Sequence, residues 1–313
     1  MSWMRKNGYM AFYQPEKVGK LYVPQTEKAV NQGRGAGVPP SADDKRRIIL
    51  LLVDAQVDFI HEDGALSVPG AIPDTQRTIE WLFRNLEHIT TVAASLDSHY
   101  PLQIFSTAWW VDRYGAHPKP FTVIKSKDVT DGVWKPIYEK EWSLEYVERL
   151  EEQAKKELMI WPYHTMVGTP GHSLTPALYE AISYHAAARQ SQPVFLNKGS
   201  IAKTEHYSIL EPEVKVPDHP LGDVNVAFLD MLASYDLVYI AGQAKSHCVL
   251  ETVSSMMRHF SDKPETIAKL RILSDCTSSV QHPEINFDAL ANATLARYAQ
   301  QGLKLVRSTD PLG

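Results

Sequence analysis

The chain has 313 residues, 44 % hydrophobic and 22 % charged, with 32 Lys and Arg against 37 Asp and Glu for a net charge of −5. That balance is globular and excludes a disordered, collagenous or coiled-coil chain. The mild acidity gives no electrostatic reason to expect a nucleic-acid or membrane partner.

Residues 1–45 are polar, rich in Gly and Pro and without a sustained period. They read as an N-terminal arm that wraps the body or a neighbouring subunit. Within it, GRGAG (33–37) follows no strand and opens no helix, so it reads as a flexible linker and not as a phosphate loop. From residue 46 the pattern alternates. IILLLV (48–53) predicts a strand buried on both faces. This is the longest aliphatic run, and six residues fall far short of the roughly 20 that span a bilayer. The next segment, 74–89, places Ile79, Leu82, Phe83, Leu86 and Ile89 on one helical face, with Pro73 before it. Strands are then predicted over 90–96, 193–197, 237–242, 270–274 and 303–306, and helices over 174–189, 223–234, 248–260 and 285–301, with Asp223 as an N-cap. Six strands separated by helices predict an α/β fold with a doubly wound, mostly parallel sheet and helices on both faces, occupying 46–313.

Residues 109–161 interrupt the alternation and hold five of the seven tryptophans, Trp109, Trp110, Trp134, Trp142 and Trp161. Within them 143–158 predicts an amphipathic helix. The segment reads as an insertion packed on the body or on another subunit, or as a lid whose aromatics wall a pocket. Arm and insertion together make a homo-oligomer the expected assembly. The two cysteines, Cys248 and Cys276, exclude a disulfide scaffold. With no apolar core of signal-peptide length near the N-terminus, a cytoplasmic location is expected.

Ligands of open parallel sheets bind beyond the carboxyl ends of the strands. The reactive residues there are Asp54, Asp97, His99, Lys198 and Cys248. A free thiol is only a few per cent thiolate at neutral pH. A helix N-terminus and a nearby ammonium favour the anion, and a carboxylate can take the proton. Asp54, Lys198 and Cys248 therefore form a sufficient set for attack on a carbonyl. Cys276 reads as a small buried apolar residue. His172, His206 and His247 show no ligand spacing.

At these positions the chain resembles a family. DAQVDF (54–59) followed by GALSVPGA (64–71) resembles the opening signature of the nicotinamidase/isochorismatase-like cysteine hydrolases. The resemblance continues through SLDSH (95–99), IWPYHTMVGTPG (160–171), NKGS (197–200), TEHYS (204–208), AGQAKSHCV (241–249) and LSDCTSSV (273–280). It implies a six-stranded parallel sheet and a catalytic trio of Asp54, Lys198 and Cys248. It also implies a cis peptide between Gln243 and Ala244, with the amides of Ala244 and Cys248 as the oxyanion hole. Phe59 matches the family's pocket phenylalanine. His247 stands where an aromatic is common. Glu205 and Tyr207 in TEHYS are read as shaping the pocket mouth or bracing Lys198, with a structural loop role as the alternative. The family's metal pattern, D-x-H-x-x-x-H, is met by Asp97 and His99, but Gln103 holds its last position. A neutral amide oxygen weakens binding of Zn²⁺ or Fe²⁺, so the expected enzyme needs no cofactor or uses a divalent metal at Asp97, His99 and Gln103. Ser98 replaces the aromatic that would stack on a pyridine ring. The expected activity is hydrolysis of the C–N bond of a small carboxamide through a thioester. The alternatives are a metal-assisted nicotinamidase and a non-catalytic binding protein on the same fold.

Overall fold

Six strands build one sheet: β1 (Ile48–Val53), β2 (Thr91–Asp97), β3 (Val194–Lys198), β4 (Leu237–Gly242), β5 (Leu270–Leu273) and β6 (Lys304–Val306). All neighbours are parallel and the order is 6-5-4-1-2-3. The computed structural model describes residues 10–154 and 156–313. The first nine residues of the expected arm, and Lys155 in the expected 143–158 helix, lie outside the described residues.

Alternation along β1 explains both layers. Ile48, Leu50 and Leu52 pack with α2 (Ala71–Arg84) and α3 (Pro176–Arg189), whereas Ile49, Leu51 and Val53 pack with α4 (Val226–Ala233), α5 (Leu250–His259) and α6 (Phe287–Gln300). Every side chain of β1 is buried, as a central parallel strand covered on both faces requires. The order reverses between β1 and β4, which opens a crevice at their carboxyl ends. Register aligns those ends: Val53 lies opposite Gly242, and Asp97 opposite Lys198. Gly242 has a positive φ of 117°, and a Cβ there would strike the Val53 carbonyl. Glycine thus lets the chain leave β4 tight against β1.

Several boundaries differ from those read in the sequence. Helix α2 starts at Ala71, so Pro73 sits inside its first turn, where a missing N–H breaks no intrahelical bond. Asp223 does not cap α4; its carboxylate takes the Val224 amide and Lys215, and the cap is Asn225, whose Oδ1 accepts from the Phe228 amide at 3.0 Å. A π-helical turn, Lys245–Val249, precedes α5. In the insertion, Lys140–Arg149 is α-helical and passes into a π turn, Leu150–Ala154, before a short strand at Leu158–Met159. The insertion pairs Trp110–Asp112 with Trp134–Pro136 and Val123–Ile124 with Leu158–Met159. It forms its own apolar cluster around Trp109, Trp110, Tyr146, Leu150 and Trp161.

The described part of the arm lies on its own body. Phe12 and Tyr13 meet Phe83 edge to face, and Phe12 also packs at a tilt on Tyr184. Tyr22 Oη and the Gln25 amide both donate to the Glu180 carboxylate, at 2.9 and 2.7 Å. Buried Arg189 ties in Asp44 and the Pro39 carbonyl. GRGAG is not a flexible linker: Gly33 and Arg34 end a helix, α1 (Thr26–Arg34), packed on α3. The helix is too short, with only Ala29 and Gly33 buried, to show a period in sequence. A Cβ on Gly33 would lie 2.5 Å from the Tyr184 carbonyl. Gly33→Val should therefore lower unfolding stability by about 1–3 kcal/mol, read as a lower urea midpoint with an unchanged slope.

Candidate active site

The site is built around one buried ammonium. Lys198 ends β3 and is 2 % exposed. Its Nζ lies 2.9 Å from Asp54 Oδ2, 2.7 Å from Asp97 Oδ1, 2.9 Å from the His206 carbonyl and 3.6 Å from Cys248 Sγ. Asp54, Asp97, Lys198 and Cys248 thus converge from β1, β2, β3 and the turn after β4, beside the crevice at the switch point. Asp54 adopts a left-handed φ of 44°, which Asp tolerates better than most residues. This bends the chain off β1. Ser95 Oγ then donates to Asp54 Oδ1 at 2.6 Å and accepts from its amide at 3.1 Å. Buried Gln56 pins β2: its Oε1 accepts from the Asp97 amide at 2.7 Å, and its Nε2 donates to the Asp97 carbonyl at 2.8 Å. Neither Ser95 nor Gln56 stands out along the chain, because their role exists only across strands.

Two carboxylates share one ammonium, and their proton affinities are driven apart. Burial pushes Asp54 above the usual carboxylate range, against the pull of Lys198 and with the repulsion of Asp97. Burial opposes charge on Asp97 too, but His99 and Lys198 hold it well below that range. Lys198 is raised well above an ordinary lysine, because the two carboxylates and Cys248 outweigh burial. Burial also pushes the Cys248 thiol well up, with Lys198 opposing and Asp54 and Asp97 adding to the rise. The resting sulfur is therefore a thiol, and Asp54 is the carboxylate best matched to exchange a proton with it.

On the far side of Asp97 stand two histidines. His99 Nδ1 bonds the Gly199 carbonyl at 3.1 Å and His164 Nδ1 the Pro162 carbonyl at 2.7 Å. A carbonyl only accepts, so Nδ1 carries the proton in each ring. Each ring then turns its Nε2 toward Asp97 Oδ2, at 2.8 Å for His99 and 3.7 Å for His164. A carboxylate facing two ring nitrogens at this range takes a proton or a cation between them. The ligand atoms of Asp97, His99 and His164 lie within 4.8 Å of one another, and this donor set fits a divalent metal. Gln103 does not supply the third donor expected from the sequence. Its Nε2 donates to the Gly199 and Ile201 carbonyls, at 2.6 and 3.1 Å, and its Oε1 accepts from the Tyr100 amide at 3.0 Å. The amide is fully used in fixing the loop after β2. His164 stood within IWPYHTMVGTPG, but no local spacing to His99 marks it as a donor.

The pocket beside Cys248 is lined by Phe59, Trp161, Tyr207, Ala244, His247 and Val280. Phe59 meets His164 edge to face at 5.5 Å between ring centroids. Of the five tryptophans in the insertion, Trp161 lines the pocket. His247 packs between Trp161 and Phe287, and burial pushes its pKa down to about 3, so it serves as a neutral ring. The Gln243–Ala244 peptide is cis. The Gln243 side chain is held by Asp74 at 3.0 Å and the Ser278 amide at 3.1 Å. Tyr207 and Glu205 do not brace Lys198; the His206 carbonyl does. Trp161 Nε1 donates to Glu205 Oε1 at 2.7 Å and to the Tyr207 hydroxyl at 2.9 Å. Cys276 is 1 % exposed, and burial raises its thiol to about 12.

These features define an α/β fold with an all-parallel six-stranded sheet flanked by helices, of the isochorismatase-like kind. The structure is similar to the Acinetobacter baumanii nicotinamidase pyrazinamidase, at 19 % identity and a TM-score of 0.56 over 86 % of this chain and 100 % of that one. It is also similar to the yeast nicotinamidase Pnc1p, at 18 % identity and a TM-score of 0.56 over 83 % and 99 % of the two chains. PnC1 from L. infantum, solved in complex with nicotinate, gives 18 % identity and a TM-score of 0.51 over 85 % and 95 %. At such identities the likeness is one of fold. No family model matches the chain, and no curated protein matches it in sequence. Among the described residues, no helix is long and apolar enough to cross a membrane.

Glu205 gives a pH test of this geometry. Burial raises its pKa from 4.5 to about 8, although its bonds to Tyr207 and Trp161 favour the charged form. The folded chain therefore holds a proton that the unfolded chain has released. The associated stability is fully present below pH 4.5 and is lost as pH rises through about 8. Across that window the melting temperature of the wild type should fall more steeply than that of Glu205→Gln. Parallel curves would show that Glu205 is not the buried acid described.

Proposed function

We propose that the protein is a cysteine hydrolase that cleaves the C–N bond of a small carboxamide. The observation that carries this reading is the placement of Lys198 Nζ against both Asp54 and Cys248 Sγ, at 2.9 and 3.6 Å, beside a concave pocket. In the proposed reaction Asp54 takes the Cys248 proton as the sulfur attacks the carbonyl carbon. Lys198 favours the charge that develops on the sulfur. The amides of Ala244 and Cys248 face the nascent oxyanion, where one donor is worth about 10²- to 10³-fold in rate. Asp54 returns the proton to the departing nitrogen and ammonia leaves a thioester. Asp54 then deprotonates a water that attacks the thioester, the sulfur recovers the proton, and the carboxylic acid departs. The sum is carboxamide plus water to acid plus ammonia. The fold shared with nicotinamidases supports this reaction class.

Asp54→Asn and Cys248→Ala should each lower kcat for ammonia release from a carboxamide panel by about 10³-fold or more, with the fold intact by circular dichroism. Wild-type and Cys248→Ala proteins releasing ammonia at equal rates would refute the proposal.

A second reading adds a metal, on the strength of the donor set at Asp97, His99 and His164. These residues would hold Zn²⁺ or Fe²⁺, which supplies Lewis acidity or an acidified water when bound. Asp97 would face the metal through Oδ2 while keeping Lys198 on Oδ1. Calorimetry should find about one equivalent of Zn²⁺ bound per chain, with His164→Ala raising the Kd by about 100-fold. No heat above that of His164→Ala would remove the metal from the account.

A further inference from the structure

Three buried polar atoms in the pocket have no hydrogen-bond partner among the described residues: Glu205 Oε2, His206 Nδ1 and His206 Nε2. Their side chains belong to consecutive residues, are 3 % and 8 % exposed, and line the same pocket as Cys248. Buried polar groups are nearly always paired, and the proposed triad chemistry uses none of these atoms. Resting on the carboxamide hydrolase reading, we infer that Glu205 and His206 form a polar subsite for a second group on the substrate. That group is uncharged and both donates and accepts hydrogen bonds: a hydroxyl, a second amide or a ureido group.

The choice among ligand classes follows from what the two side chains offer. A neutral imidazole presents one N–H and one lone pair. Glu205 Oε1 is already taken by Trp161, which leaves Oε2 to meet the ligand. Burial favours the neutral form of both groups, with Glu205 raised to about 8 and His206 lowered to about 3. The protonated acid and the imidazole N–H then need an acceptor, and the imidazole lone pair needs a donor. An ammonium has no lone pair to give. A carboxylate or a pyridine nitrogen has no proton to give. Only a group that does both leaves no buried polar atom unpaired. Apolar walls from Phe59, Leu66 and Val280 favour an otherwise hydrophobic body.

The test is equilibrium binding to the full chain carrying Cys248→Ser, by calorimetry. The probes are benzamide, nicotinamide and the three hydroxybenzamides. At least one hydroxybenzamide should bind about tenfold or more tighter than both benzamide and nicotinamide, because a site built to bond a hydroxyl rejects ligands that lack it. In His206→Leu that ratio should collapse to within about twofold, whereas Glu205→Gln, which still bonds through its side-chain end, should retain most of it. A purely structural role would weaken every probe alike and leave the ratio unchanged, and this would overturn the inference. So would a flat panel against the Cys248→Ser protein, a result that needs no second substitution to fold. Ammonia release by the wild type is scored separately. Its absence from every probe would sink the hydrolase reading, while the binding ratios would still judge the subsite.

Discussion

A single buried ammonium organises this molecule's reactive edge. Lys198 is withdrawn from water and surrounded by two carboxylates, a carbonyl and a sulfur. A lone ammonium in such a place would be strongly destabilising, and removing one member of a buried ion pair typically costs about 3–5 kcal/mol. The four groups therefore hold one another in place. Asp54, Asp97 and Lys198 stand at the ends of β1, β2 and β3, and Cys248 in the turn after β4, so the cluster depends on the register of these four strands. Gln56 and Ser95, which clamp β2 and Asp54, belong to the same constraint.

The charge balance of the cluster separates two tasks. With one ammonium between two acids, the carboxylate that also faces His99 and His164 remains ionised, and the other takes up protons more readily. Asp97 is thus the member suited to hold a cation, and Asp54 the member suited to exchange a proton with Cys248. The reaction proposed above uses that division. Carboxylates that differ only in their neighbours can carry different roles at one pH.

The segments outside the α/β frame bear on the site unequally. The insertion has its own apolar cluster, and Trp161 at its end reaches the pocket and bonds Glu205. Lys156, also at its end, pairs with Glu213 and Glu251 at 2.5 and 2.9 Å. The insertion is therefore both packed body and pocket wall. The arm covers the opposite layer, where Ala29 and Gly33 of α1 meet α3, well away from the sulfur in the chain's layering.

Much of this was legible in the chain. Aliphatic runs such as IILLLV, alternating with amphipathic segments, determine a parallel α/β sheet, because only that architecture buries both faces of such strands. The same alternation places Asp54, Asp97 and Lys198 at strand ends and Cys248 just beyond one, since the carboxyl ends of parallel strands share one rim. What sequence alone left undecided depends on contacts between distant segments. Gln103 lies close to His99 in sequence, yet its amide is consumed by the loop carbonyls at Gly199 and Ile201. His164, some sixty residues further on, arrives beside Asp97 only through the loop leading into α3. The same holds for Glu205 and His206. Their residue types were visible in TEHYS, but a missing hydrogen-bond partner is a property of the packed interior, and no local pattern encodes it.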